Sequence, residues 1–245
     1  MKTWKFILVT TLISLAIGGI YLFVVWEHRR SPGVQTQNNP EQGRTLDDVA
    51  IVRLMFMTSF DDAVKLQGAS VWMKNGYSMP YYPYESGRVV FARKIGLIPS
   101  AQRLDIKKVI KVVPPAQEDD GIDHGGRQVF AVFSLPGSTD LDATPIGVIQ
   151  GSTEAYYCDI LFYYDDPHTI YDNWPKDVWA AIDAHQVKTG MSELETRMAI
   201  GQKMQTDGGA EGNRTVTYDQ AGRKWTVTFV HNHATAIKSE AAAAQ

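Results

Sequence analysis

A long segment without a charged side chain lies near the beginning of the chain. Two lysines precede it, two arginines follow it, and residues 6–26 between them are mostly apolar. At roughly 1.5 Å rise per residue, about twenty such residues match the roughly 30 Å hydrocarbon core of a bilayer. The pattern predicts an uncleaved transmembrane helix at residues 1–30, with a cleaved signal peptide as the alternative.

The charges on the two sides of this segment are nearly balanced. Long following domains translocate largely regardless of their own charge, so we expect a single span with the N-terminus inside and the bulk of the chain outside. Residues 31–44 are polar and contain two prolines and two glycines. That composition predicts a flexible linker between the membrane and the folded part.

The spacing of apolar residues changes after the linker. Between residues 49 and 63 they recur at helical spacing, with Ser59 as an internal N-cap and Gly68 as the end of the helix. Beyond Gly68 the apolar positions alternate, and Asn75-Gly76 between two such segments predicts a β-hairpin. Short strands at close spacing predict a small barrel or sandwich, with an SH3-like barrel as one form for residues 69–113. The predicted strands are residues 70–73, 77–84, 88–94, 106–113, 128–134, 146–150 and 155–164.

The last third of the chain returns to helical spacing before it alternates again. Pro175 suits the first turn of one helix, and Ser192 with Glu195 forms a capping box at the start of a second. Gly201 follows the second helix as its end. The predicted strands are residues 215–218, 224–230 and 234–237.

One segment of this region resembles a known family. Gly190-Met191-Ser192, a short helix and the ending Ala199-Ile200-Gly201 precede two antiparallel strands that carry Tyr218 and Trp225. Across residues 174–238 this order is similar to the BamE-like (SmpA/OmlA) family of bacterial envelope domains. The resemblance implies helices packed on an antiparallel sheet, a non-catalytic scaffold role in envelope assembly, and no active-site residues. Many family members are lipoproteins, whereas this chain lacks a lipid-acceptor cysteine.

The expected fold class is therefore α+β. It combines an N-terminal transmembrane helix, a β-rich middle and a C-terminal helix-helix-antiparallel-sheet domain. The expected boundaries are residues 1–30 for the anchor, 31–44 for the linker, 45–170 for the helix and β-rich domain, 171–240 for the BamE-like domain and 241–245 for the tail.

Composition narrows the functional classes. The net charge is −3 and basic residues are scattered, so nothing in the composition indicates a nucleic-acid partner. The single cysteine, Cys158, excludes an internal disulfide.

Three groups of residues have the chemistry of enzyme or metal sites. One short segment has possible oxygen and nitrogen ligands at Asp165, Asp166 and His168. A second group is His231 and His233, whose side chains would share one face of a strand. Cys158 with a distant histidine has the residues of a thiol nucleophile and its base. We interpret the segment with Asp165 as a polar loop, the segment with His231 as a turn, and Cys158 as a buried structural cysteine. We accordingly expect no catalytic residue, metal or cofactor.

The tyrosines near the predicted hairpin suggest a different chemistry. Tyr77, Tyr81, Tyr82 and Tyr84 lie close together with two prolines among them. Tyrosine is enriched at interfaces because it buries a large ring and keeps a polar hydroxyl. These four residues are the predicted binding surface for a peptide or a glycan, and packing around an edge strand is the alternative.

Together these features favour a membrane-anchored, extracytoplasmic binding or scaffold protein of the bacterial envelope, with no enzymatic activity and with a protein partner. The BamE-like resemblance implies envelope or outer-membrane protein assembly as the setting, with a single span in the cell inner membrane and the bulk of the chain in the periplasm. The alternative is an envelope hydrolase directed at the cell wall, which would depend on Cys158 or on a metal ion at Asp165, Asp166 and His168.

Overall fold

Strands dominate the computed structural model, which describes residues 50–77, 79–115, 126–201, 203–220 and 222–240. Within these ranges, 42% of residues lie in strands and 16% in helices. No helix in this part of the chain is long and apolar enough to cross a bilayer. The predicted span at residues 1–30, the linker at 31–44 and the tail at 241–245 lie outside the described residues.

The larger of two antiparallel sheets has nine strands in the order β3-β2-β7-β6-β5-β1-β9, with β4 paired to β2 and β8 paired to β7. Its strands are β1 (Ser70–Met73), β2 (Pro80–Glu85), β3 (Arg88–Val89), β4 (Gly96–Leu97), β5 (Arg103–Val112), β6 (Arg127–Ser134), β7 (Asp142–Gln150), β8 (Thr153–Tyr156) and β9 (Phe162–Tyr163).

The centre of this first sheet is buried on both faces. Seven consecutive residues of β6 are buried, so the strand does not alternate between core and solvent. Val129, Ala131 and Phe133 pack into the main core on one face. Phe130 and Val132 pack with Tyr82 on the other. Because successive side chains of a strand point to opposite faces, β6 stabilises two apolar clusters at once.

The second sheet has four strands in sequence order, β10 (Lys203–Thr206), β11 (Thr215–Gln220), β12 (Arg223–Val230) and β13 (His233–Glu240). The described residues also form five short helices: α1 (Phe60–Val64), α2 (Cys158–Leu161), α3 (Pro167–Ile170), α4 (Lys176–Asp183) and α5 (Glu193–Ile200).

Local signals place the ends of two helices as expected. The Ser192 hydroxyl accepts a hydrogen bond from Glu195 N at 3.1 Å, and Glu195 Oε2 accepts one from Ser192 N at 2.6 Å. This reciprocal capping box confirms the predicted start of α5. Ser59 caps α1 by accepting from Asp62 N at 3.2 Å, and Gly201 is the C-cap of α5.

The core beneath the second sheet also takes side chains from the first. Tyr218 and Val227 of the sheet are buried with Ile182 of α4 in one apolar cluster. Tyr163 of β9 belongs to the same cluster, and Trp72 of β1 packs against it. The apolar faces of the two sheets are therefore covered partly by each other's residues.

The expected α+β class is wrong. The described chain is mostly β, and residues 171–240 are built on the second sheet rather than forming a helix-helix-sheet domain. The two longest helices of this region have eight residues each, about two turns. Helices this short are marginal in isolation, so α4 and α5 are stabilised by packing on a core shared with the first sheet.

The predicted Asn75-Gly76 hairpin is also absent. β1 pairs with β5 and β9, whereas β2 pairs with β3, β4 and β7. Strands of residues 69–113 thus pair with strands well beyond that segment, and an SH3-like barrel confined to it is wrong. A turn does form at Gly76, with φ of +83°, but long-range pairing outweighs the local hairpin signal.

The helix predicted from residue 49 is confined to α1. The Asp159 carboxylate accepts hydrogen bonds from Met55 N and Phe56 N, each at 2.8 Å, and Phe56 has φ of +50°. These contacts hold residues 50–58 against the first sheet in a non-helical conformation. The strand predicted at residues 155–164 is likewise interrupted, because α2 lies between β8 and β9.

Candidate functional site

A cavity of about 360 Å³ lies where the turn after β1 meets the end of α5. We call it the junction pocket, because it joins residues of the first sheet to residues beside the second. Its lining residues are Lys74, Asn75, Gly76, Tyr77, Arg197 and Met204.

Backbone hydrogen bonds hold the two sides of the junction pocket together. Gly76 N donates to Gly201 O at 2.5 Å, and Gly201 N donates to Arg197 O at 2.8 Å. Helix ends leave backbone carbonyls without intrahelical partners, so the turn satisfies one carbonyl near the end of α5. The positive φ of Gly76 is a conformation that glycine adopts without steric cost.

Lys74 supplies a partly buried cation. Its Nζ donates to the backbone oxygen of Asp159 at 2.6 Å and lies 5.3 Å from the centre of the Tyr163 ring. Burial lowers the pKa of Lys74, and the nearby negative charge of Asp159 offsets that effect only in part. The ammonium group is therefore less well solvated than an ordinary surface lysine.

Two residues of the pocket lining each carry a buried nitrogen donor without an acceptor among the described residues. Arg197 forms an ion pair with Glu211 through Nη2, and both side chains are mostly buried. Its Nε and the Asn75 Nδ2 have no hydrogen-bond partner among the described residues. An unsatisfied buried donor costs about 1–3 kcal/mol, and most such groups in folded proteins are paired.

Next to the junction pocket, α5 carries a second ion pair. Glu193 is 1% exposed and accepts from Arg214 Nη2 at 2.6 Å and from Gly212 N at 2.8 Å. Tyr218 lies close to these charges, and burial raises its pKa. The network ties α5 to the segment before β11, and Arg197 lies one turn further along the same helix.

The four predicted binding tyrosines do not share one surface. Tyr82 is buried, with its ring 5.2 Å from that of Phe91, and Tyr84 packs with it on the same face of β2. Tyr81 points to the opposite face and packs against the main core. Tyr77 precedes the strand, is 39% exposed and lines the junction pocket.

Tyr84 borders a second cavity of about 480 Å³, at the end of the first sheet where β7 begins. Glu85 and Arg93 form an ion pair in its lining, and Asp142 lines it as well. Burial and the neighbouring Asp140 raise the pKa of Asp142. This cavity thus combines one ion pair with two aspartates, whereas the described lining of the junction pocket has two cationic residues and no carboxylate.

Cys158 lies in an apolar environment at the start of α2. It is 1% exposed, and its Sγ contacts Ile146 O at 3.8 Å. Burial, with a smaller contribution from Asp159, raises the pKa of the thiol to about 12. The thiolate that a cysteine nucleophile requires is therefore scarcely populated near neutral pH.

The predicted metal-ligating residues are engaged in other contacts. Asp166 caps α3 and accepts from His168 N at 2.9 Å, while Asp165 pairs with Arg53 at 3.1 Å. The His168 ring stacks on Trp179 at a centroid distance of 4.0 Å. Among the described residues no group of three or more His, Cys, Asp or Glu side chains is arranged to hold a metal ion.

His231 and His233 lie at the tight turn between β12 and β13. His231 and Asn232 both have positive φ, at 49° and 62°, a combination typical of a type I′ hairpin turn. The His233 Nδ1 is 3.0 Å from Gly190 O. The turn interpretation of this segment is confirmed.

No family model, curated protein or solved structure matches this chain. The BamE-like resemblance at residues 174–238 is neither supported nor opposed by these comparisons, and it stays a prediction.

Sequence reasoning included Tyr77 but missed the other residues of the junction pocket. The sequence pattern predicts a hairpin turn that contains Lys74, Asn75 and Gly76, and it predicts a helix that contains Arg197. The available signal was a run of donor side chains at a glycine turn next to an exposed tyrosine. The partner, Arg197, is distant in sequence and is brought close only by the packing of α5 against that turn.

Proposed function

We propose that this protein is a non-enzymatic binding protein of the bacterial cell envelope, and that the junction pocket is its ligand site. One observation carries the proposal. Two cationic side chains, Lys74 and Arg197, line the same cavity, and no carboxylate is among its described lining residues. A ligand that accepts hydrogen bonds would match this lining, because the Lys74 ammonium has donors beyond the one used on the Asp159 backbone oxygen.

The shape and composition of the pocket support the same function. Its volume of about 360 Å³ falls at the lower end of the range for small-ligand sites. Met204 and the Tyr77 ring supply apolar surface, while Lys74 and Arg197 supply a few convergent polar groups. The membrane location rests on the apolar segment at residues 6–26, and its assignment to the bacterial envelope rests on the BamE-like resemblance of residues 174–238.

The test is a thermal-shift screen of the purified full-length protein against small organic acids, amines and neutral compounds. We expect at least one compound to raise Tm, because a ligand that binds only the native state stabilises it. Met204→Trp should reduce that shift by placing an indole ring in the cavity. Gln205→Trp is the matched control, since the next residue of β10 points to the opposite face.

Two outcomes would count against the proposed site. One is a screen in which no compound raises Tm. The other is a shift of the same size in the wild-type protein and in Met204→Trp, which would place the ligand elsewhere.

The cysteine-dependent alternative makes a different prediction at Cys158. A hydrolase of this kind needs a reactive thiolate, whereas a binding protein with a buried thiol should resist iodoacetamide at pH 8 until it is unfolded in urea. Mass spectrometry of the intact protein measures the alkylation. Rapid modification of the folded protein would contradict the binding function and favour the hydrolase.

A further inference from the structure

The second cavity, at the end of the first sheet where β7 begins, carries an excess of negative charge. We call it the acidic cavity, and its charged lining residues are Glu85, Arg93, Asp140 and Asp142. Glu85 is paired with Arg93, so one carboxylate is compensated. The two aspartates form no ion pair with any described residue. The described lining is therefore short of positive charge.

Strand pairing places the Asp142 side chain on the same face of the sheet as that of Glu85. Pro83 of β2 lies directly opposite Asp142 of β7, and the side chains of such a pair project from one face. Glu85 follows Pro83 by two residues and projects from that face as well. All three residues line the acidic cavity. The Asp142 carboxylate therefore lies on the cavity side of the sheet.

Asp142 is a buried acceptor without a donor. The residue is 8% exposed, and its carboxylate accepts no hydrogen bond from a described residue. Its oxygens are not among the polar atoms that are closed off from solvent, so a ligand in the cavity can reach them. Burial and the nearby Asp140 raise the pKa of Asp142, because an ionised carboxylate is costly to bury without a partner. A cation with N–H donors would remove that cost.

The rest of the lining favours an alkylammonium over a metal ion. In the described part of the chain, no three His, Cys, Asp or Glu side chains converge as the ligands of a metal ion do. Pro83, Ile95 and Leu141 add apolar surface to a cavity of about 480 Å³, a volume within the usual range for small-ligand sites. A primary ammonium on an alkyl chain combines a compact charge, three N–H donors and an apolar stem.

We propose that the acidic cavity binds a primary ammonium group on an alkyl chain, with the Asp142 carboxylate as its hydrogen-bond acceptor. Asp140 supplies a second negative charge nearby, and the alkyl chain packs on Pro83, Ile95 and Leu141. A free amine and the lysine side chain of a polypeptide present this same chemistry. The site is separate from the junction pocket, so it goes beyond the function proposed there.

The test compares butylamine, 1-butanol and butyltrimethylammonium by NMR titration of the ¹⁵N-labelled full-length protein. The three probes share the butyl chain, and only butylamine has both the charge and the N–H donors. We expect butylamine to bind at least about tenfold more tightly than either of the others, since hydrogen bonds between charged groups are roughly twice as strong as neutral ones.

Peptides separate the two sources of the ammonium group. The probes are a capped peptide of four residues with one lysine and the same peptide with norleucine in its place. If the lysine peptide binds more tightly than both butylamine and the norleucine peptide, the ligand is the lysine side chain of a polypeptide. If butylamine binds more tightly than the lysine peptide, the ligand is a free amine.

Variants tie the preference for butylamine to the acidic cavity. Asp142→Asn keeps the shape of the side chain and should remove most of the difference between butylamine and 1-butanol. Asp140→Asn should reduce that difference less. Asp61→Asn removes the same charge at an exposed position of α1 and should leave the difference unchanged, as should Met204→Trp in the junction pocket. Circular dichroism checks folding, and Asp142→Asn should be at least as stable as the wild type because it removes an unpartnered buried charge.

Four results would overturn the proposal. Butylamine and 1-butanol could bind equally, or butyltrimethylammonium could bind as tightly as butylamine. An unchanged affinity for butylamine in Asp142→Asn would place the amine elsewhere, and loss of its binding in Met204→Trp would assign it to the junction pocket. Displacement of butylamine by an equal concentration of Mg²⁺ or Ca²⁺ would show that the cavity takes a metal ion instead.

Discussion

The cores beneath the two sheets are built from different interactions. Around the first sheet, Val129, Phe130 and Phe133 belong to apolar clusters, and the ion pairs formed by Glu85 and Arg103 involve side chains that are 26–56% exposed to solvent. Beside the second sheet, the Glu193–Arg214 and Arg197–Glu211 pairs are mostly buried. The stability of the first region comes from the apolar surface that it removes from water. The stability of the second region also depends on specific ion-pair partners.

This difference bears on where a ligand site arises. Apolar packing is non-directional and tolerates exchange among side chains of similar volume. A buried charge must be held against a particular partner, which fixes its orientation. Arg197 is oriented in this way by Glu211 and lines the junction pocket. The region beside the second sheet therefore supplies the junction pocket with a cationic side chain whose orientation is fixed by an ion pair.

The largest expected loss of stability follows a substitution in the core of the first sheet. Phe133→Ala should lower the free energy of unfolding by about 4 kcal/mol, because Phe133 is fully buried and its loss leaves a cavity next to the Tyr81 ring. Urea denaturation followed by circular dichroism measures the change. Phe133→Leu should cost clearly less, and a loss below about 1 kcal/mol for the alanine variant would contradict the described packing.

A somewhat smaller loss is expected in the second region. Glu193→Ala should lower the free energy of unfolding by about 3 kcal/mol, because it leaves the Arg214 charge without its buried partner. The double variant Glu193→Leu with Arg214→Leu should recover most of that loss. If the single and double variants are equally unstable, the loss comes from the surrounding backbone contacts, such as that of Gly212, rather than from the unpaired charge.

The capping box should matter less than the ion pair beside it. Ser192→Ala should lower the free energy of unfolding by about 1 kcal/mol, the usual value for an N-cap serine. Ser192→Thr keeps the hydroxyl and should retain most of the stability. Equal losses for the two substitutions would show that the hydroxyl is not the stabilising group.

The smallest effect is a pH dependence at the exposed end of α1. The Asp62 carboxylate accepts from Lys65 Nζ at 2.8 Å and from Ser59 Oγ at 2.7 Å, and these contacts hold its pKa well below its usual range. A lowered folded pKa means that the stabilisation is present above the unfolded pKa of about 3.9 and is lost as the pH falls through the folded pKa.

Asp62→Asn removes this contribution, so its unfolding free energy should lie slightly below that of the wild type at pH 7 and approach it at the lowest accessible pH. Denaturation of both proteins at a series of pH values measures the difference. A difference that stays constant down to pH 2 would contradict the electrostatic origin.

Local features of the fold were predictable because they depend on neighbours in the sequence. The caps at Ser59 and Ser192 satisfy backbone groups within three residues, and the turn at His231 and Asn232 joins adjacent strands. The junction pocket was predictable only in part. Tyr77 was recognised by its residue type, whereas Arg197 required the docking of α5 against the turn at Gly76.

The sequence by itself determined the position of caps, turns and most strands, because backbone hydrogen bonding and alternation act over a few residues. The tertiary structure decided which strands pair, where helices form and which side chains line a cavity. β1 pairs with β5 rather than β2, and Asp159 draws residues 55 and 56 out of a helical pattern. These outcomes depend on the burial of complementary surfaces far apart in the chain, and no local pattern encodes that.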